Sequence, residues 1–350
     1  MNRIAEAALL SYPWPDPPAR GEAIPVADGV LWMRLPLPMR LDHVNVYALD
    51  DGDAGWTIID TGFDTRLSRE IWADLMAGPL GGRPVHRVVV THHHPDHIGL
   101  AGWLASDHGA EIITTRTAYL MGRMLTLDEQ DALPAETLAF YRGAGMRADL
   151  LEQRQSERPF NFADVVAPLP LGYTRIRQGD TLVMGGRTWD VHIGNGHAPE
   201  HATFWSRDDN LVLAGDQILP SISPNIGVYV TEPMADPVGD WLEACERLMM
   251  LARPDHLVLG GHKLPFSGLE TRMRQLINNH HGALKRLLAH LDTPKSAAEC
   301  FPPLFKRDIG DGEYGLALVE ALAHVSHLHQ HGQVNRTTDA QGVWRYQVTD

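Results

Sequence analysis

The sequence predicts a mixed α/β domain with a helical insertion, followed by a small and mainly helical domain. Strand-like apolar runs alternate with turns early in the chain, a helical stretch interrupts them in the middle, and helical periodicity dominates the end. A chain of 350 residues is long for one hydrophobic core, so a main domain with a smaller one attached is expected. The predicted division places residues 1–268 in the main domain and 269–350 in the second.

Strands are predicted at the start of the main domain. Residues 26–60 contain apolar runs rich in Val, Ile, Tyr and Trp, and the sequence DDGDAG between two of them is typical of a hairpin turn. The next segment has helical spacing, ends at Gly78 and places four apolar residues on one side: Leu67, Ile71, Trp72 and Leu75. Residues 85–90 then predict a buried strand that runs into a polar loop. Sheets of this kind usually place ligands at the carboxyl ends of their strands.

A helical cap is predicted as an insertion in this domain. From residue 118 to about 170 the pattern becomes mainly helical, with Pro and Gly between the helical stretches. Bulky residues of this region could line an apolar pocket, and ordinary helix packing is the alternative: Tyr119, Met121, Met124, Phe140, Tyr141 and Met146. Arg142 or Arg175 could meet an acidic group of a substrate, and a solvated surface arginine is the alternative for both.

Strand-like runs return after the cap, and helices fill the end of the chain. Apolar runs in DTLVM, TWDVHIGNGH, ATFW, DNLVLAGD and DHLVLGGH predict strands, and a helix over 237–252 separates the last two. Beyond residue 268 an amphipathic helix is followed by helical stretches over 296–305 and 314–331. A turn between Val334 and Trp344 predicts a small hairpin or wing.

The composition indicates where the protein is expected to be located and which classes of partner it is expected to bind. No apolar run approaches the ~20 residues that span a bilayer, so no membrane partner is expected. The first 22 residues lack the basic and long apolar segments of a secretion signal, and a cytoplasmic location is the expectation. A net charge of −14 repels phosphate backbones and disfavours nucleic acid as a partner. Cys245 and Cys300 lack the spacing of zinc ligands and are expected to be buried thiols.

The strongest functional signal is THHHPDH, directly after the predicted strand over 85–90. Alternate side chains of an extended segment point the same way, so His92 and His94 can bind one ion together. After the bend that Pro95 allows, Asp96 and His97 can turn toward a second ion. A solvated histidine-rich loop is the alternative, and the fixed positions of three histidines and an aspartate disfavour it.

HxHxDH after a buried strand resembles the metallo-β-lactamase superfamily, whose fold is a four-layer αββα sandwich. The family pattern continues with a histidine in a Gly-His segment, a carboxylate in a Gly-Asp step and a histidine in a second Gly-His step. This sequence supplies His197, Asp216 and His262 in the same order. The resemblance covers about residues 26–268.

The resemblance implies two metal ions with seven ligands: His92, His94 and His197 for the first, Asp96, His97 and His262 for the second, and Asp216 between them. It also implies that Asp60, in the segment IIDTG, accepts a hydrogen bond from a ligand histidine. An aspartate in an ordinary strand-to-turn step is the alternative. His201 is expected to be structural or to support a ligand, and His93 to lie on the opposite side of the strand.

A binuclear hydrolase with a small-molecule substrate is the predicted activity. Imidazole with few carboxylates suits zinc better than calcium or magnesium, and iron or manganese are alternatives. Two such ions about 4 Å apart would lower the pKa of a shared water from near 16 toward about 7, which makes hydroxide available at neutral pH. Asp96 and Asp216 are the predicted catalytic residues, Asp96 because it could also orient the nucleophile.

Substrate choice has to come from the insertion and the tail, because subfamilies share the metal ligands. The tail resembles the winged-helix-like C-terminal domain of lactamase-β-like hydrolases and of thioesterase-like relatives of hydroxyacylglutathione hydrolase. Thioester, ester or lactone hydrolysis therefore ranks first. Hydrolysis of RNA or another phosphodiester ranks second, because the basic residues are scattered in an acidic chain.

Three further hypotheses rank lower. A β-lactamase would be expected to carry an export signal. A mononuclear-iron sulfur dioxygenase and a catalytically silent binding protein are disfavoured because the set of metal ligands is complete. Since an acidic winged helix seldom binds DNA, the tail predicts a homodimer instead.

Overall fold

The computed structural model describes residues 10–349, and these residues form two compact units. The first unit contains residues 10–129, Asn161–Pro224 and Leu248–Met273, and the second contains Gln130–Phe160, Asn225–Arg247 and residues 274–349. Residues of the predicted cap therefore belong to both units. The N-terminal segment considered for a secretion signal lies partly outside the described residues.

Seven strands form the first sheet of the first unit, in chain order across the sheet: β1 (Ile24–Ala27), β2 (Val30–Pro36), β3 (His43–Asp50), β4 (Trp56–Ile59), β5 (Val85–Val89), β6 (Glu111–Thr115) and β7 (Thr174–Ile176). Strands β1 to β4 pair antiparallel, and β4 to β7 pair parallel. The strands and the hairpin turn predicted over 26–60 are confirmed.

Six strands form the second sheet: β8 (Thr181–Met184), β9 (Arg187–Gly194), β10 (His201–Ser206), β11 (Leu211–Gly215), β12 (Leu257–Gly260) and β13 (Phe266–Ser267). Their order across the sheet is β13-β12-β11-β10-β9-β8. Only the β11–β12 pair is parallel within this sheet.

The first sheet is buried on both faces. Successive residues of a strand point to opposite faces, so neighbouring residues pack in different cores. In β4, Ile58 packs in a core shared with the helices, while Ile59 packs in a core that faces the second sheet. Trp189 and Phe204 of the second sheet belong to this latter core and are fully buried. The two large sheets therefore pack against each other, with helices on the outer face of the first.

Four helices belong to the first unit: α1 (Arg66–Ala77), α2 (Pro95–Ile98), α3 (Ala101–His108) and α4 (Arg116–Leu127). Thr65 caps α1 by accepting a hydrogen bond from the backbone N–H of Ser68 at 3.1 Å. The buried face of α1 differs from the prediction at its start, because Leu67 is 39% exposed. The buried positions are Ser68, Ile71, Trp72 and Leu75, which follow the spacing of one helix face.

The second unit is mainly helical. It contains the helices α5 (Ala135–Gly143) and α6 (Ala148–Ser156), most of α7 (Pro237–Met249) and α8 (Leu269–His290), and then α9 (Phe301–Phe305), α10 (Asp311–Gln330) and the hairpin of β14 (Val334–Thr338) with β15 (Trp344–Val348). Short 3-10 turns occupy Gly52–Ala54 and Phe162–Asp164 in the first unit and Ala298–Cys300 in the second. Among the helices of residues 10–349, none combines the length and apolar character needed to cross a bilayer.

Several cap residues serve packing. Tyr119 stacks on Tyr173 with ring centroids 4.0 Å apart, and in the second unit Phe140 packs edge-on against Trp344 at 5.7 Å. Met124 is 47% exposed. Both Arg142 and Arg175 are exposed, and both cysteines are buried.

Candidate metal centre

The loops that carry the predicted ligands lie at one edge of each sheet. Strands β4 and β5 are parallel, so their carboxyl ends lie together, and the antiparallel β3 begins at the same edge. In the second sheet, the carboxyl ends of β11 and β12 lie beside the turn between β9 and β10. Chain segments distant in sequence therefore meet at these edges.

The first cluster consists of three imidazoles. His94 lies in extended backbone immediately before Pro95 and α2. Its Nδ1 lies 3.0 Å from His92 Nε2 and 3.0 Å from His197 Nε2. The three nitrogens come from the loop after β5 and the turn before β10, and together they could hold one metal ion.

The second cluster joins α2 to the loop after β12. Asp96 Oδ2 lies 3.5 Å from His97 Nε2 and 3.4 Å from His262 Nε2. Asp96 and His97 are consecutive residues of the short helix that starts at Pro95, and their side chains come within 3.5 Å of each other. These three residues form a second group that could hold a metal ion.

Asp216 lies between the two clusters, directly after β11. Its Oδ2 lies 3.1 Å from His262 Nε2 and 3.5 Å from His197 Nε2, and its Oδ1 lies 3.5 Å from His97 Nε2. One carboxylate thus contacts imidazoles of both clusters. The structure brings together all seven side chains that the sequence singled out.

Asp60 determines which ring nitrogens of two histidines carry a proton. His97 Nδ1–H donates to Asp60 Oδ2 at 2.7 Å, which leaves Nε2 toward the centre. The hydroxyl of Thr91 donates to the same carboxylate oxygen at 2.8 Å and therefore accepts from His92 Nδ1–H at 2.9 Å. The Nε2 atoms of both histidines are therefore directed at the clusters.

His201 supports Asp216 from the backbone side. The backbone N–H of Asp216 donates to His201 Nε2 at 3.0 Å, and the His201 ring stacks on His92 at 4.5 Å. Burial and the neighbouring His197 lower the pKa of His201 to about 3, so its imidazole is neutral and can accept this bond. His93 belongs to neither cluster, and its ring stacks over Phe162 at 6.4 Å.

Residues of β3 that hold the loop of His262 are not among the site residues predicted from the sequence. His262 Nδ1–H donates to the carbonyl of His43 at 2.7 Å. Asn45 donates to the carbonyls of Gly260 and Lys263, each at 2.9 Å, and Tyr47 donates to Gly260 at 2.8 Å. A signal for them exists, because the polar residues of HVNVY alternate and must share one face of the strand.

The electrostatics suit a cation bound between imidazoles and carboxylates. Burial and neighbouring imidazoles hold the pKa values of His92 and His94 well below the usual range, so both rings are neutral ligands. The pKa of Asp216 is well below its usual range, since His262 and His97 outweigh the effect of burial. The same carboxylate helps to raise the pKa of His262 to about 10 against the opposing effect of burial.

The donor atoms fit a divalent metal. Within residues 10–349, His97 Nε2 and Asp216 Oδ1 are buried without a hydrogen-bond partner, which is costly unless another group binds them. A Cβ at Gly261 would collide with both residues, so the two side chains can take up their positions only because this residue has no side chain. Five imidazoles and two carboxylates suit zinc, iron or manganese.

Two sheets packed face to face, with a histidine and aspartate centre at their edge, define a metal-binding α/β sandwich. The model of the metallo-beta-lactamase superfamily matches residues 39–275, and the model of the metallo-beta-lactamase-like C-terminal domain matches residues 284–349. The chain belongs to the metallo-β-lactamase superfamily. The predicted fold class and the C-terminal domain are confirmed.

Solved structures and a curated relative agree with this assignment. A beta-lactamase domain protein from Burkholderia ambifaria is 37% identical, with a TM-score of 0.90 over 99% of this chain and 100% of its own. A metallo-beta-lactamase family protein from Thermus thermophilus is 28% identical, with a TM-score of 0.78 over 93% and 100%. The probable metallo-hydrolase YqjP of Bacillus subtilis (strain 168) is 24% identical over 81% of this chain and 88% of its own. The chain is a metal-dependent hydrolase.

Proposed function

We propose that the protein hydrolyses a thioester, ester or lactone of a small molecule with two divalent metal ions, zinc being the first choice. The observation that carries the proposal is the position of Asp216, whose carboxylate lies within 3.5 Å of three imidazoles from both clusters. Bound metals would supply an activated water at neutral pH and polarise the carbonyl oxygen of the substrate. The proposed ligands are those of the two clusters together with Asp216.

The protein residues would each have a separate task. We assign Asp96 the additional task of orienting the attacking water, because its pKa is lowered by His97 and His262 against the effect of burial and it stays an acceptor. Asp60 would fix the orientation of His97, and His201 that of Asp216. The proposed roles of these two residues are therefore supporting ones.

The charge of the chain supports an acyl substrate over a phosphodiester. A net charge of −14 repels a polyanionic backbone at long range, whereas a small acyl compound does not need a basic path to the metals. We also propose that the protein is cytoplasmic, that its tail is winged-helix-like and that it forms a homodimer, as predicted from the sequence. Light scattering on the full chain tests the dimer.

A hydrolysis panel on the zinc-loaded protein tests the activity. It compares acyl-CoA and glutathione thioesters, lactones and aryl esters with bis-p-nitrophenyl phosphate and single-stranded RNA. We expect turnover of at least one acyl substrate, its loss in His94→Ala, and its retention in the exposed control His108→Ala. Turnover of RNA alone, or full activity of His94→Ala, would overturn the proposal.

A further inference from the structure

A further group of side chains that could hold a metal ion lies in the second compact unit, outside the HxHxDH, Gly-Asp and Gly-His motifs. Asp236 directly precedes α7, while His327 lies in the last turn of α10 and His331 directly follows that helix. The two histidines are four positions apart and therefore project from the same side of the helix end. We propose that Asp236, His327 and His331 bind a divalent transition metal ion such as zinc.

The distances between the donor atoms match such a site. His327 Nδ1 lies 2.9 Å from Asp236 Oδ1 and 3.0 Å from its Oδ2, and His331 Nε2 lies 3.3 Å from the same Oδ2. Ligands about 2.0–2.1 Å from a tetrahedral zinc ion lie roughly 3.3 Å from each other. One donor atom from each residue lies within 4.8 Å of the other two, so small rotations of the side chains suffice to enclose an ion.

The chemistry and the exposure of the group indicate which ion fits. Two imidazoles and one carboxylate are the ligand set of zinc and related transition metals, and calcium or magnesium would require more oxygen ligands. The side chain of His331 is 57% exposed, whereas those of His327 and Asp236 are 14% and 21% exposed. The site is open on the side of His331, which leaves room for water as a further ligand.

The local electrostatic potential favours a cation. Asp236 Oδ1 accepts a hydrogen bond from the backbone N–H of Gly239 at 3.0 Å, which holds the carboxylate at the start of α7. Burial and the negative charges of Asp236 and Glu232 raise the pKa of Asp240. This part of the second unit therefore has a negative potential, which a divalent ion would reduce.

A bound ion would fasten the segment before α7 to the end of α10. Gln330 already links the two, since its amide donates to the carbonyls of Met234 and Ala235, each at 3.1 Å. A metal with ligands from both segments would add a stronger cross-link and stabilise the folded state. The alternative is a simple ion pair between the imidazoles and the carboxylate, which would leave the protein insensitive to added zinc.

The test is calorimetric titration of zinc into the metal-free full chain, in which the equivalents bound by the catalytic centre are counted with the His331→Ala variant. We expect one additional equivalent to bind, together with a rise in the midpoint of thermal unfolding. His331→Ala and Asp236→Asn should each weaken this binding at least about tenfold. Asn at position 236 can still accept the hydrogen bond from the Gly239 N–H, so the start of α7 keeps its cap.

The matched control is His329→Ala, in the same turn of α10, whose Nδ1–H donates to the carbonyl of Val334 at 3.0 Å. We expect this variant to bind the additional zinc like the unmodified chain. Absence of an additional equivalent overturns the proposal, and so does equal binding in His331→Ala and the unmodified chain. The readout is binding and stability, so the result does not depend on whether the proposed hydrolysis is correct.

Discussion

Among single residues, Asp60 orients side chains of the centre without being a proposed ligand. Its carboxylate accepts from the backbone N–H of Thr91 at 2.8 Å, from the Thr91 hydroxyl and from His97 Nδ1. Its backbone has a φ of 58°, in the left-handed region that Asp and Asn tolerate better than most residues. Both the side chain and the backbone at this position therefore restrict the choice of residue.

We expect Asp60→Asn to lower zinc affinity by roughly 10–100-fold while the fold is retained. Asn tolerates the backbone conformation, but its amide has one acceptor oxygen and would turn N–H donors toward His97 or Thr91, which also donate. Competition with a chelator of known affinity measures the change. Asp64→Asn is the control, since Asp64 pairs with Arg69 at 2.6 Å in the same loop. Equal zinc affinity in Asp60→Asn and the unmodified chain would contradict this assignment.

The residues of the centre differ in how far sequence predicts them. The ligand set could be predicted because metal chemistry restricts residue type and because HxHxDH, Gly-Asp and Gly-His steps occur in the order of a known family. For His43 and Asn45 the sequence shows only that they share one face of a strand, because their contacts run through the carbonyl of His43 and through bonds to a loop more than 200 positions away. Sequence patterns report local periodicity and carry no information on such distant partners.

At the scale of elements, the strand ends of the second sheet require glycine for steric reasons. Gly215, at the end of β11, has a φ of 49°, and a Cβ there would lie 2.6 Å from His201 Cε1. Gly261 follows β12, and a Cβ there would collide with Asp216 Oδ1 and His97 Cε1. The Gly-Asp and Gly-His steps thus provide the space in which the two loops approach the centre.

We predict that Gly261→Ala reduces hydrolysis about a hundredfold, because the added methyl displaces Asp216 by a fraction of an ångström or more. The neighbouring Gly260→Ala is a matched control, since its Cβ would meet its nearest atoms at 3.4 Å, an ordinary contact distance. Steady-state kinetics and bound zinc per chain are measured for both variants. Similar kinetics in the two variants would show that the collision is relieved elsewhere.

Elements with strong local periodicity were predicted, and those that depend on distant pairing were not. The helices α1, α7, α8 and α10 have amphipathic or apolar patterns within their own sequence. The two-residue strand β13 exists because Phe266 pairs with Val258 of β12 and because Ser267 pairs with Ser11. Such short strands have no signal of their own, since tertiary pairing selects them.

At the scale of the whole molecule, segments far apart in sequence form the second compact unit. Residues 130–160, 225–247 and 274–349 cluster together, although the sequence pattern predicts the first segment as part of a cap and most of the second as a helix between two strands of the main domain. Inside this unit His280 and His324 form a buried pair, with 3.1 Å between His280 Nδ1 and His324 Nε2. His324 Nδ1–H donates to the carbonyl of Glu320, so His324 Nε2 is the acceptor from His280 Nδ1–H.

This pair makes the stability of the protein depend on pH. Burial and the neighbouring imidazoles lower the pKa of His280 to about 3, and burial is the main cause that lowers the pKa of His324 to about 4. In the unfolded chain a histidine titrates near pH 6.5, so below that value the unfolded state binds protons that the folded state does not. The free energy of unfolding therefore falls as the pH drops from about 6.5 toward 4, by about 1.4 kcal/mol per pH unit for each histidine.

The free energy of unfolding should drop less between pH 6.5 and 5 in His280→Asn than in the unmodified chain. We predict a difference of about 2 kcal/mol, because one buried titrating group is removed. An asparagine can place its amide N–H near the position of His280 Nδ1 and still donate to His324, so the packing is largely kept. Urea unfolding at both pH values measures the difference. His281→Asn, on the exposed side of α8, controls for the loss of a histidine and should follow the unmodified chain. If His280→Asn and His281→Asn respond equally to acid, the buried pair is not the source of the pH dependence.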